Sequence, residues 1–157
     1  MDIRILSVII SATVAILIAV SNHFLVEPFK EKRKWKKQQL SNLYSPLYAL
    51  ISARIYLVKD LCIQRKKIML GSVDPSLILS KDYTHEFILK NAGYGSKVFI
   101  EAWSNYVGSF LPKNEVTLEF VTTLVKDYNK LKKELGQEYN VEELKTGIPE
   151  VIKELRN

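Results

Sequence analysis

The sequence predicts an all-α protein with one amino-terminal transmembrane helix followed by a small cytoplasmic antiparallel helical bundle. Three observations lead there. Residues 5–26, "ILSVIISATVAILIAVSNHFLV", contain no Lys, Arg, Asp or Glu. Residues 30–37, "KEKRKWKK", hold six cations against one acid. Beyond Ser41, apolar side chains recur at spacings of three and four, the period of helices buried along one face. The 157 residues therefore divide into an anchor (1–27, span about 5–26), a basic juxtamembrane segment (28–41) and a helical domain (42–157).

The first element is justified by length. At about 1.5 Å per residue the uncharged run spans roughly 33 Å, enough to cross a hydrocarbon core of about 30 Å. A surface helix of a soluble domain would carry a polar face, and this run has none. A cleaved signal peptide is the alternative, since Ala19 and Ser21 have the small-residue spacing of a cleavage site. "MDIR" is a poor basic leader, however, and six cations just downstream would resist export, so a retained anchor is expected. Asn22 and His23 fall near the inner boundary, where an interfacial role is expected.

The charge surplus is local. Of 23 Lys/Arg and 17 Asp/Glu, the tract at 30–37 takes six and one, leaving 17 against 16 elsewhere. A nucleic-acid domain spreads its cations over a folded face, so no nucleic-acid partner is expected. Positive charge stays in the cytoplasm. Only Arg4 precedes the span, so the amino terminus should face out and the carboxyl-terminal domain in. Lys30, Lys32, Arg33, Lys34, Lys36 and Lys37 are the expected membrane-surface residues, each worth about 1 kcal/mol beside anionic headgroups. Trp35 joins them as an interfacial ring.

Within the span, Ser7, Ser11, Ala15 and Ala19 recur every fourth position, a stripe that lets two helix backbones approach closely. A homo-oligomer or a second membrane protein is the partner this implies.

The domain reads as helices between short stops. "SNLYSPLYALISARIYLVKDLCIQRKKIML" takes Ser45 as N-cap and Pro46 as first helical residue, with Leu47, Ile51, Ile55, Val58, Cys62 and Met69 on one face and Gly71 as terminator. Alternatively, Pro46 kinks a longer helix arriving from the anchor. "DPSLIL" reads as a turn opening a short helix capped by Asp74, and "SKDYTHEFILKNAG" as a helix capped by Ser80 that stops near Gly93. In "SKVFIEAWSNYVGSFLP" the residues Phe99, Ala102, Trp103, Tyr106 and Phe110 share a face, and Pro112 closes it. The next helix takes Asn114 as cap and Val121, Leu124, Tyr128, Leu131 and Leu135 as its seam, ending at Gly136. Its start, "EVTLEFVTTLV", is β-branched and alternating, which leaves a strand open at 116–125. A last amphipathic helix is interrupted by Gly147 and Pro149.

Chemistry-bearing sets are scarce. Asp82 and His85 can meet on one helix face, but two ligands are too few for zinc, and a surface pair is expected. "NAGYGS" lacks the lysine and strand of a phosphate loop. The lone Cys62 has Arg65 and Lys66 one turn away, which would lower its pKa, yet it falls on the apolar face and is expected to be buried filler. Tyr44 and Tyr48, flanking Pro46, are expected to pack, with a partner pocket as the alternative. No catalytic, metal or cofactor site is expected. The function expected is an interaction or scaffold module at the cytoplasmic membrane face. A membrane-active effector, whose oligomerising anchor perturbs the bilayer, is the second reading.

If the small-residue stripe is an association seam, Ala15→Ile will lower self-association in a membrane two-hybrid assay. An unchanged signal rejects the seam.

Overall fold

The computed structural model describes residues 3–109 and 112–156, with the backbone alone at 3–6, 8, 9 and 22. All regular structure among them is helical, and the front of "EVTLEFVTTLV" is helix, not strand. The chain divides into two compact units between Lys36 and Lys37. Leu40 is buried with the core of the second unit.

In the first unit, α1 (Ile3–Ser21) is followed by a wider π-helical turn, Asn22–Val26, and then by α2 (Glu27–Gln39). His23 Nδ1 and Glu27 Oε2 lie 2.9 Å apart across one turn. α2 ends within the second unit, and another π-helical turn, Leu40–Tyr44, leads into α3 (Ser45–Tyr56). Ser45 is in the α conformation and its N–H reaches back five residues to the Leu40 carbonyl, so it does not cap. Pro46 has no N–H to give, and the wider turn just before it accommodates the missing bond.

The single helix expected from Pro46 to Gly71 is broken. α3 ends at Tyr56, Val58 leaves helical geometry, and α4 (Lys59–Arg65) is stopped by Lys66 in the left-handed region. The chain then doubles back, and Gly71 donates its N–H to the Arg54 carbonyl. A side chain at Gly71 would sit 2.9 Å from both that oxygen and Leu57 Cβ, so the glycine permits a close return rather than ending a helix. The short helix expected at "DPSLIL" is a turn: Asp74 Oδ1 accepts from the Ser76 N–H and hydroxyl, closing the loop locally.

α5 (Lys81–Asn91) and α6 (Lys97–Gly108) start at serines whose hydroxyls accept the first free amides, Ser80 from Tyr83 and Ser96 from Phe99. A 3₁₀ turn at Ala92–Tyr94 ends α5 near Gly93. On α6, Phe99, Ala102, Trp103 and Tyr106 are buried as their spacing requires; Phe110 lies outside the described residues. α7 (Asn114–Glu134) begins after Lys113, so Asn114 is its first residue and not its cap. It buries Val121, Leu124 and Leu131, with Leu135 just beyond. α8 (Val141–Thr146) is capped by Asn140, and 3₁₀ turns follow over Glu150–Arg156.

Side-chain pairs fix the packing directions. Tyr106 stacks on Phe120 while Ser96 bonds Asp127, so α6 and α7 run oppositely. Thr84 meets Arg54 and Tyr94 meets Gln39, so α5 runs against α3. Tyr44, just before α3, bonds both Asp127 and the Ser96 N–H, which brings the start of α3 to α7 and to the start of α6. Leu43, Leu47, Ile51, Ile55, Ile88, Phe99, Phe120 and Leu124 fill the centre.

Gly147 and Gly136 both have positive φ, but a Cβ at Gly147 would fall 2.6 Å from Thr122 Cβ whereas one at Gly136 meets nothing. Gly147→Ala should therefore cost about 2 kcal/mol more than Gly136→Ala, through overpacking added to the shared backbone strain. Thermal unfolding of both variants in detergent checks the difference.

Candidate functional site: an apolar span and its cationic collar

Every side chain described in α1 is exposed within the first unit. Ile16, Leu17, Ile18, Phe24 and Leu25 are between 57 % and 71 % exposed, and they point in different directions around the helix axis. Burying such side chains recovers about 1.5–3 kcal/mol each, so a helix apolar on all sides is unstable in water without a cover. Ser7, Ser11, Ala15 and Ala19 lie along it at the expected fourth positions, all exposed.

α2 buries no residue. At 100° per residue its six cations, Lys30, Lys32, Arg33, Lys34, Lys36 and Lys37, cover an arc of about 200°, with Glu27, Glu31 and Trp35 on the remainder. Lys36 is half-buried, whereas the other five cations and Trp35 are exposed. The helix thus presents a broad cationic surface with an indole at its edge, on the turns directly following the apolar run.

The buried polar groups of the second unit are the other place where chemistry could reside. Tyr44 donates to Asp127 Oδ2 at 3.0 Å, and its oxygen accepts the Ser96 N–H. Burial, opposed by the Ser96 bonds and aided by Asp127, pushes its phenol up to about 12. Tyr48 donates to Glu143 at 2.6 Å and stacks on Tyr128 at 4.2 Å. Burial first, and then Glu143, raise its pKa as well. Glu143, 2 % exposed, also accepts from Asn129 and from the Glu150 N–H. Both tyrosines of "LYSPLY" are therefore packed and hydrogen-bonded internally, not arranged around an open pocket.

Arg54 is 1 % exposed, and its guanidinium is held by the Gly71 carbonyl at 2.7 Å and Thr84 Oγ1 at 3.2 Å. Burial lowers its pKa and the Tyr106 hydroxyl opposes that. Arg54 is not among the expected site residues, although it lies three residues after Ile51 on the same apolar face. Glu143 had no such signal, because α8 is only six residues long.

His85 does not form the expected surface pair with Asp82. It is half-buried, its Nδ1 accepts the Trp103 indole N–H at 3.3 Å, and its ring lies 6.0 Å from that of Tyr106. α5 turns it inward because it follows Thr84, which must face Arg54. Cys62 is fully buried, and burial raises its thiol pKa, so Arg65 and Lys66 do not activate it. No group of three or more His, Cys, Asp or Glu among the described residues is placed to hold a metal ion. A surface groove of about 400 Å³ is lined by Tyr83, Glu86, Phe87, Lys90 and Asn91, none of which belongs to these buried networks.

No protein-family model, curated protein or solved structure matches the chain. Among the described residues, one helix, near the amino terminus, is long and apolar enough to cross a membrane.

Tyr48→Phe keeps the stack on Tyr128 but removes one donor from a buried carboxylate, and should cost about 1–3 kcal/mol in unfolding free energy. Denaturant unfolding measures it. A loss below a few tenths of a kcal/mol would mean that Glu143 does not need the phenol.

Proposed function

We propose that the chain is a single-pass membrane protein, amino terminus outside, whose cytoplasmic helical domain binds a protein partner or a second copy at the inner membrane face. The observation that carries this is the succession of a 22-residue uncharged run and six cations within eight residues. In lipid every backbone polar group must be bonded within the helix, and an all-round apolar surface then needs no protein cover. The collar is retained on the cytoplasmic side and neutralised by anionic headgroups. Trp35 sits at the headgroup level, its ring in the apolar boundary and its N–H hydrated.

Anchoring confines the domain to a plane, which raises its effective concentration and makes weak contacts between helix faces sufficient. No enzymatic role is included, because Tyr44 and Tyr48 are bonded to the Asp127 and Glu143 carboxylates and Arg54 to the Gly71 carbonyl, all inside the domain.

After lysis without detergent, the intact chain should sediment with membranes and resist carbonate extraction. Its amino terminus, read by mass spectrometry, should retain residues 1–21; loss of them identifies a cleaved signal sequence instead. A carboxyl-terminal reporter should be active only in the cytoplasm. Replacing all six collar cations with Gln should move a share of that reporter outside, and unchanged topology would remove the collar from this role. Dye leakage on expression, abolished by anchor substitution, would favour the membrane-active reading over the scaffold.

A further inference from the structure

His85 occupies a place that a solvent-facing histidine would not. Trp103 can only donate a hydrogen bond, so the 3.3 Å contact makes His85 Nδ1 the acceptor and puts the proton of the neutral ring on Nε2. That Nε2 is itself buried and has no partner among the described residues. The imidazole is flanked by the rings of Trp103 and Tyr106 on α6. The charged groups acting on it are Lys81 and Asp82 on its own helix and Arg54 on α3, two cations against one acid. Arg54 bonds Thr84, the residue preceding His85.

The geometry points to an acid-sensitive latch: protonation of His85 at Nδ1 sets two N–H donors against each other at Trp103, brings a second cation to the buried Arg54, and releases α5 from α6. The device is independent of how the chain meets a membrane. Its direction follows from proton linkage. An unfolded chain binds this proton near pH 6.5, whereas burial, then Lys81, then Arg54 push binding in the folded chain to lower pH against a smaller pull from Asp82. Between those values the unfolded state holds more protons. The latch's contribution to stability is therefore complete above about pH 6.5 and is lost as pH falls through and below it.

The test uses the full chain in detergent micelles. The indole N–H resonance of Trp103, distinguished from that of Trp35 by a Trp35→Phe variant, should move on acidification from about pH 7.5 to about 4.5, with a midpoint below about 6.5. Over the same range the Tm should fall, and His85→Asn, which keeps an acceptor at the Nδ1 position but cannot titrate, should fall less. A resonance flat over that range, a midpoint at or above 6.5, or an equal Tm loss in His85→Asn each overturns the latch. If the Asn variant does not fold, the resonance titration of the unaltered residue decides alone.

Discussion

A buried guanidinium with no carboxylate bonded to it is the constraint around which the second unit is arranged. Arg54 sits on the apolar face of α3, and its transfer from water is costly unless its donors are met. Neutral oxygens meet them: the Gly71 carbonyl and the Thr84 hydroxyl accept hydrogen bonds, and the Tyr106 hydroxyl acts electrostatically on the same guanidinium. Each partner dictates something further. To present its carbonyl, the chain must return along α3 after α4, and only glycine admits the approach. To present Thr84, α5 must begin at Ser80, whose own carbonyl takes the Thr84 hydroxyl proton. To present Tyr106, α6 must lie alongside α3, which brings Trp103 onto His85.

Two similar networks hold the other end and the flank. Tyr44, Ser96 and Asp127 join α3, α6 and α7, while Tyr48, Asn129 and Glu143 join α3, α7 and α8. Apolar packing supplies the bulk of the drive to fold, but it is tolerant of sliding. Hydrogen-bonded groups spaced along α3 are less so, because a shift of one residue would leave several of them buried without partners.

What the sequence made legible followed from periodicity and caps. The faces of α6 and α7, the serine cap of α5 and the stop near Gly93 are local properties, decided within a few residues. The breaks were not legible, because they answer to distant partners. The apolar spacing from Leu47 to Met69 continues straight through the interruption at Leu57–Val58, and nothing nearby announces that Gly71 must reach Arg54. His85 was misplaced for the same reason: its neighbours Asp82 and Glu86 suggest water, while Trp103 lies 18 residues away. The apolar span and its collar depend on composition alone, so they could be read directly, and their roles rest on the same composition.

Cys62 is the only thiol in the chain, and it lies at 0 % exposure with its sulfur against the Met69 carbonyl. A bulky alkylating reagent can reach it only when α4 or the returning segment lifts away. The molecule thus carries its own clock for local opening: the rate of label uptake at that sulfur, compared with the rate in denaturant, reads the free energy of this corner separately from global unfolding.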